Sequence, residues 1–204
     1  DKDVFDESHW TNPKKNIGAY NKSKAIAEKT MWDHLKSLPE SDRIEAVAIN
    51  PTLVVGPSLS NDMGTSNMFI QKMIDGSYRA SPMIHFGFVT VEDTARAHIE
   101  AMLHPSASGK RFILSEKNMW LHEMNKVLVE NGYTKAPLKQ LPDFLIKFLG
   151  LFNKELSVIS GFVGRTKYTN SDNAKNILGF KFDGVDNAIV NTAKKFEELG
   201  IITR

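Results

Sequence analysis

Tyr20 and Lys24 stand four residues apart in the stretch "GAYNKSKAIAEK" (residues 18–29), where good helix formers follow them. On a helix that spacing puts both side chains on one face. A phenol titrates near pH ~10 and is a poor acid at neutrality. A neighbouring ammonium favours the phenolate and brings the group toward a usable range. Such a tyrosine can give a proton to a carbonyl oxygen as hydride arrives at its carbon. The pair by itself also fits an aromatic and a cation on the side of a helix, so the surrounding residues carry weight. Gly18, Ala19 and Ser23 are small, and the apolar segment "NPTLVVGP" (50–57) begins about 30 residues later.

Around the pair the sequence predicts alternating helices and strands. Residues 1–17 read as loop, rich in Asp, Asn, Lys and Pro. A helix over 19–38 follows from the apolar spacing of Ala27, Met31, Leu35 and Leu38, and Pro39 ends it. "IEAVAINPTLVVGP" (44–57) is β-branched and nearly continuous in apolar residues, as a strand covered on both faces is. A loop and then a helix from Thr65 or Ser66 occupy 60–76. Residues 88–103 give a short strand and a helix with Thr90 as N-cap and Asp93 in a capping-box arrangement. "GKRFILS" (109–115) is a short strand. After it come helices over about 119–131, 141–152, 155–163, 171–178 and 184–199, the first ending at Asn131-Gly132 and the last at Gly200.

Composition excludes several classes. The 204 residues carry 41% hydrophobic and 25% charged residues, an ordinary globular balance. A net charge of +2 without a basic stripe does not call for nucleic acid. No cysteine is present, so thiolate catalysis, thiolate metal sites and disulfides are excluded, and a reducing, cytoplasmic setting is expected. The most apolar stretch, residues 143–164, is interrupted by Lys147, Lys154 and Glu155. It falls short of the roughly 18 apolar residues of a membrane span and reads as buried or pocket-lining helix. The histidines lack metal-ligand spacing. The opening "DKDVFDESHWTNPKKN", with no strand ahead of it, leads us to expect that the chain is part of a longer protein.

"DESHWTN", "YNKSKAIAEK", "AINPTLVVGPSL", "FVTVEDTARAHIEAM", "GKRFILS" and "TNSDNAKNILGFKF" follow one another in this order. The series resembles the second half of an extended short-chain dehydrogenase/reductase, more narrowly the dihydroflavonol-4-reductase-like branch. The resemblance implies an α/β fold: a partial Rossmann-like doubly wound parallel sheet with a mostly helical C-terminal substrate lobe. Residues 1–118 are then the second half of the cofactor and catalytic domain, with a substrate-loop insertion, and 119–204 the lobe.

It also implies roles. Tyr20 is the general acid, and Lys24 binds the nicotinamide ribose and lowers the tyrosine pKa. Asn50, Pro51, Thr52, Leu53 and Val54 border the nicotinamide at the carboxyl end of their strand. Pro57, Ser58 and Met68 are substrate-side candidates, Phe86 and Phe88 less so. Phe144, Phe148 and Phe152, at four-residue spacing, read as core. Asp93 is structural at its helix start, and His98 packs against the sheet. The expected cofactor is NADP(H), with NAD(H) open, and the expected substrate a small apolar carbonyl compound. The glycine-rich turn and the Ser or Thr that shares the substrate oxygen are expected ahead of Asp1. Charged residues on the outer face of the Tyr20 helix (Lys22, Lys29, Asp33, Lys36) favour a monomer over a homodimer.

Two other readings stand beside this one. A nucleotide-sugar epimerase or dehydratase of the same superfamily leans on arginine for the diphosphate, and residues 58–87 offer only Arg79. A non-catalytic cofactor-sensing or interaction protein would typically lose the Tyr/Lys pair, which is intact here.

Overall fold

The computed structural model of the chain describes residues 3–60 and 64–203, so part of the loop expected after Ser60 lies outside the described residues. The segment read as one strand over 44–57 is two, β2 (Ala48–Pro51) and β3 (Leu53–Val55). β2 pairs in parallel with β6 (Arg111–Leu114). β3 pairs in parallel with β5 (His85–Thr90), which continues antiparallel to β7 (Lys117–Trp120). Thr52 is the fork. Its N–H and its hydroxyl each donate to the Leu114 carbonyl at 2.9 Å, which ties the end of β6 to the break.

The break also shifts the pleat. Ile49 and Val54 are an odd number of residues apart, and an unbroken strand would point them to opposite faces. Both instead pack with Val89, Ala97, Phe112 and Leu114. Val55 and Leu53 face the other cluster, with Ile70, Phe88, Leu121, Met124, Leu128, Ile189 and Phe196. One short stretch of chain therefore feeds two cores.

Helix α3 (Val91–Leu103) covers the first of these clusters with the stripe Asp93, Ala97 and Ala101, whose small side chains allow close approach to the sheet. Thr90 caps it, its hydroxyl accepting from the Asp93 N–H at 2.9 Å. The reciprocal half of the expected capping box gives way to other partners: the Asp93 carboxylate accepts from Arg96 and from the Asp183 N–H. His98 does not pack against the sheet. It lies off the buried stripe and is exposed, with a ring nitrogen 2.7 Å from the Thr94 carbonyl. Helix α1 (Gly18–Ser37) falls within a residue of its predicted span and docks on the opposite face of β2 and β6, yet none of its residues is fully buried. Ala27 is exposed, and the half-buried face runs through Ala25, Glu28, Met31 and Leu35.

The C-terminal part contains the expected helices α4 (Leu121–Glu130), α5 (Asp143–Leu149), α6 (Lys154–Ser160), α7 (Asp172–Ile177) and α8 (Val185–Glu198). It also contains strands that no periodicity announced. β9 (Lys167–Thr169) pairs in parallel with β1 (Asp3–Phe5), inside the segment read as loop, and β8 (Gln140–Leu141) pairs with β4 (Ser81–Pro82). Strands of two or three residues are too short to display alternation. Helix α2 (Gly64–Ile74), α4 and α8 close over β3 and β5, so the helical tail shares its core with the sheet. Phe88, weighed as a pocket residue, is fully buried in that core.

Phe144, Phe148 and Phe152, read as core, are 73%, 57% and 78% exposed. The short helix α5 turns Ile146 inward against Ile84 and Val163, which leaves positions 144 and 148 on its far side.

Gly87 on β5 sits where β3, β6 and β9 converge. A Cβ there would stand 2.5 Å from the Ser115 and Thr169 hydroxyls and 2.7 Å from Thr52 Cγ2. Those hydroxyls are bonded to each other at 2.8 Å and cannot both retreat. Gly87→Ala is expected to cost about 1–3 kcal/mol, as overpacking does, read by urea unfolding. An unchanged midpoint would show that the seam yields freely. Glu116 supplies a pH test. Its carboxylate accepts from the Val185 N–H at the start of α8. Burial, and then the charges of Asp93 and Asp183, push its pKa above the usual glutamate value despite that bond. A carboxyl raised in the fold favours the native state below its unfolded pKa and loses that contribution as pH rises through the folded one. The Tm of Glu116→Gln should therefore gain on wild type between pH 4 and pH 7; a constant difference would overturn this account.

Candidate functional site

The first turn of α1 carries Tyr20 and its second Lys24. Tyr20 is 67% exposed, and the Lys24 ammonium lies 5.6 Å from the centre of its ring. The Ser23 hydroxyl donates to the Tyr20 carbonyl at 2.8 Å, a local helix bond that takes it out of the chemistry. Gly18, at φ 78°, turns the chain into the helix, and its open side meets Val158 of α6. Asn16 donates to the Ser157 hydroxyl at 3.2 Å, so α6 stands against the start of α1.

One turn beyond Lys24, on the same stripe, Glu28 accepts from Arg111 Nε at 2.6 Å and Nη2 at 3.2 Å, and from the Trp32 indole at 3.2 Å. The guanidinium also donates to the Glu7 and His9 carbonyls and lies 4.0 Å over the Trp10 ring. Burial pushes the Glu28 carboxyl up, but the hydrogen bonds from Arg111 and Trp32 and the charge of Arg111 outweigh it and hold the group below its ordinary value. A carboxylate lowered in this way adds stability above pH 4.5, which is lost as pH falls through the folded value. The sequence reading missed this group. The only local signal is that 20, 24 and 28 share one helical stripe.

The strand end lies beside this network. Asn50 turns a buried side-chain amide toward the Glu28 carboxylate and adds the smallest contribution to its lowered pKa. Pro51 is exposed. Thr52 is committed to the fork, and Leu53 and Val54 to the two cores. Among the five residues expected at the cofactor, Pro51 offers the open surface, and a proline ring with fixed φ presents a flat apolar one.

A cleft of about 550 Å³ opens between Val54–Leu59, the start of α2 and the first turn of α3. Pro57 and Ser58 line it as expected candidates, with Val91 and Ala95 as its apolar wall. Met68 is half exposed on α2 and does not line it. Phe86 is half-buried, edge-on to Phe69 and Phe88 at 6.5 Å, and belongs to the packing. Asn67, buried, donates to the Gly56 carbonyl at 3.0 Å and ties α2 to the strand end, a role no pattern in the sequence announced. The cleft lies at the carboxyl end of β3, between the starts of α2 and α3.

His85 is a core histidine: a ring nitrogen lies 2.6 Å from the Lys167 carbonyl, and the ring is edge-on to Trp120 and Tyr168. Among the described residues no group of His, Asp and Glu is placed to hold a metal ion, and no helix is long and apolar enough to cross a membrane.

Comparison with known proteins adds an independent line. Over 164 residues the chain is 31% identical to a dihydroflavonol 4-reductase of Gerbera hybrida, covering 77% of this chain and 41% of that protein. Over 144 residues it is 36% identical to a cinnamoyl-CoA reductase of Medicago truncatula, covering 69% and 41%. The chain therefore spans about two fifths of the length of these curated relatives. Among solved structures, yeast methylglyoxal/isovaleraldehyde reductase complexed with NADPH superposes with a TM-score of 0.71 at 22% identity, over 98% of this chain and 59% of that one, a likeness of fold. The model of the NAD dependent epimerase/dehydratase family matches residues 1–114. That match takes in α1 with its Tyr/Lys stripe, the forked strand, α3 and β6, and the chain belongs to the NAD dependent epimerase/dehydratase family.

Proposed function

We propose that this chain is part of an NADPH-dependent reductase of small, apolar aldehydes or ketones, in which Tyr20 is the proton donor. The observation that carries the reading is the exposed Tyr20–Lys24 pair on one stripe of a helix anchored beside a strand end. Among the described residues Lys24 makes no ion pair, so its ammonium is available to a ligand. The names of the relatives, and the NADPH in the yeast structure, support the cofactor and the reaction type.

The residues present fit the nicotinamide end of such a cofactor. Pro51 gives an exposed apolar surface at the carboxyl end of β2, the end at which open α/β sheets bind ligands. Asn50 brings a buried side-chain amide beside it, directed toward the Glu28 carboxylate. Lys24 would hold the ribose hydroxyls, and Asn50 to Val54 would border the ring. Bound NADPH supplies the hydride. Tyr20 delivers its proton to the carbonyl oxygen, with the Lys24 ammonium 5.6 Å from the centre of its ring. Pro57 and Ser58 form the substrate side, and the apolar wall of Val91 and Ala95 suits an uncharged carbonyl compound. In this reading residues 1–118 are cofactor and catalytic part and 119–204 the substrate lobe.

In the complete protein, Tyr20→Phe should lower kcat for aldehyde reduction by about 10²–10⁴-fold, the usual worth of a positioned general acid. Its NADPH Kd, read by nicotinamide fluorescence, should stay within about twofold, since the phenyl ring keeps its place. Lys24→Met should weaken both NADPH binding and kcat. Retained turnover in Tyr20→Phe would remove the assignment.

A further inference from the structure

We infer that Glu28 and Arg111 are positioning residues for the Tyr20–Lys24 stripe, acting through the placement of α1. The inference rests on the reductase reading for its catalytic consequence and on geometry for the placement itself. Helix α1 is 20 residues long and buries none of them fully, so apolar packing does little to fix its rotation. The Glu28–Arg111 pair is only 16% and 17% exposed at its side chains. The neighbouring Lys29–Asp33 pair is 58–66% exposed and screened by solvent.

Arg111 joins three parts of the chain. It sits on β6, clasps Glu28 with two nitrogens, and holds the loop ahead of α1 through the Glu7 and His9 carbonyls and the Trp10 ring. A planar guanidinium suits this work, because its fork bonds a carboxylate in two places while its face lies on an aromatic ring. Trp32 takes the near side of the same carboxylate and fixes its direction. Glu28 is one turn past Lys24 and two past Tyr20. A roll of α1 about its axis would move Glu28 off Arg111 and swing the phenol by the same angle.

The test is hydrogen exchange of α1 together with kinetics in the complete protein. Glu28→Ala and Arg111→Lys should each raise exchange of the α1 amides at least tenfold, with α3 and α8 unchanged. They should lower kcat at saturating NADPH at least tenfold and enlarge the solvent isotope effect, as proton transfer from a misplaced phenol becomes limiting. Glu28→Gln keeps an acceptor for Arg111 and should retain most of kcat, and the Glu28→Ala/Arg111→Ala double variant should be no slower than the worse single one. A purely structural ion pair would lower Tm and leave α1 exchange, kcat and isotope effect unchanged well below Tm; that result overturns the inference. Faster α1 exchange with unaltered kcat also overturns it while leaving the reductase reading intact. If the wild-type protein reduces no carbonyl compound, the reductase reading fails and the exchange measurement alone supports or overturns the anchoring of α1.

Discussion

Everything in this chain is arranged around the fork at Thr52. A strand that ran unbroken from Ala48 to Val55 would have one partner on each side and one phase of side chains. By bonding Thr52 to the carbonyl of Leu114, the chain ends its pairing with β6 and turns to β5. The phase slip lets Val54 face α3 while Leu53 and Val55 face α2 and α8. Both apolar clusters, the cleft at Pro57 and the exposed Pro51 follow from that one change of partner. Gly87, too close to Thr52 for any Cβ, shows how little room the fork leaves.

Against this tightly packed centre, α1 is held differently. The apolar clusters contain none of its residues. Its connection to the sheet is polar: a half-buried carboxylate, a guanidinium with acceptors on α1 and in the loop ahead of it, and two indole rings. Polar anchoring specifies direction more sharply than apolar contact, because hydrogen bonds weaken steeply with angle. A helix that presents a phenol to a ligand has use for direction.

How much of this could be read beforehand depends on the range of the interaction. The spans of α1, α3, α4 and α8 were legible because each repeats apolar residues at helical spacing over several turns. Thr90 as a cap and Gly132 and Gly200 as stops were legible because capping is local. The break within 44–57 was not, since β-branched residues on either side of Thr52 look alike whichever core they serve. β1 and β9 were hidden by their three-residue length. The phenylalanines at 144, 148 and 152 have the spacing of a core stripe, but Ile146 took the inward position. Within the candidate site, Tyr20 and Lys24 announce themselves by a four-residue spacing. Glu28 finds Arg111 across 83 residues, a distance at which a sequence carries no pattern.

Long reach has a cost in time. Among the described residues β1 pairs with β9 alone, and the Glu7 carboxylate waits on Ile113, whose backbone N–H it accepts at 2.9 Å. On a ribosome adding roughly 5–20 residues per second, Asp3 is made some 10–30 s before Lys167, the residue it faces. Non-local pairings of this kind are slow to form. Until Arg111 and Ile113 are made, the loop to Asn16 has only local bonds, such as those around Asp6, to shape it. The segment from Asp3 to Asn16 is thus made well before the strand and side chains that close it.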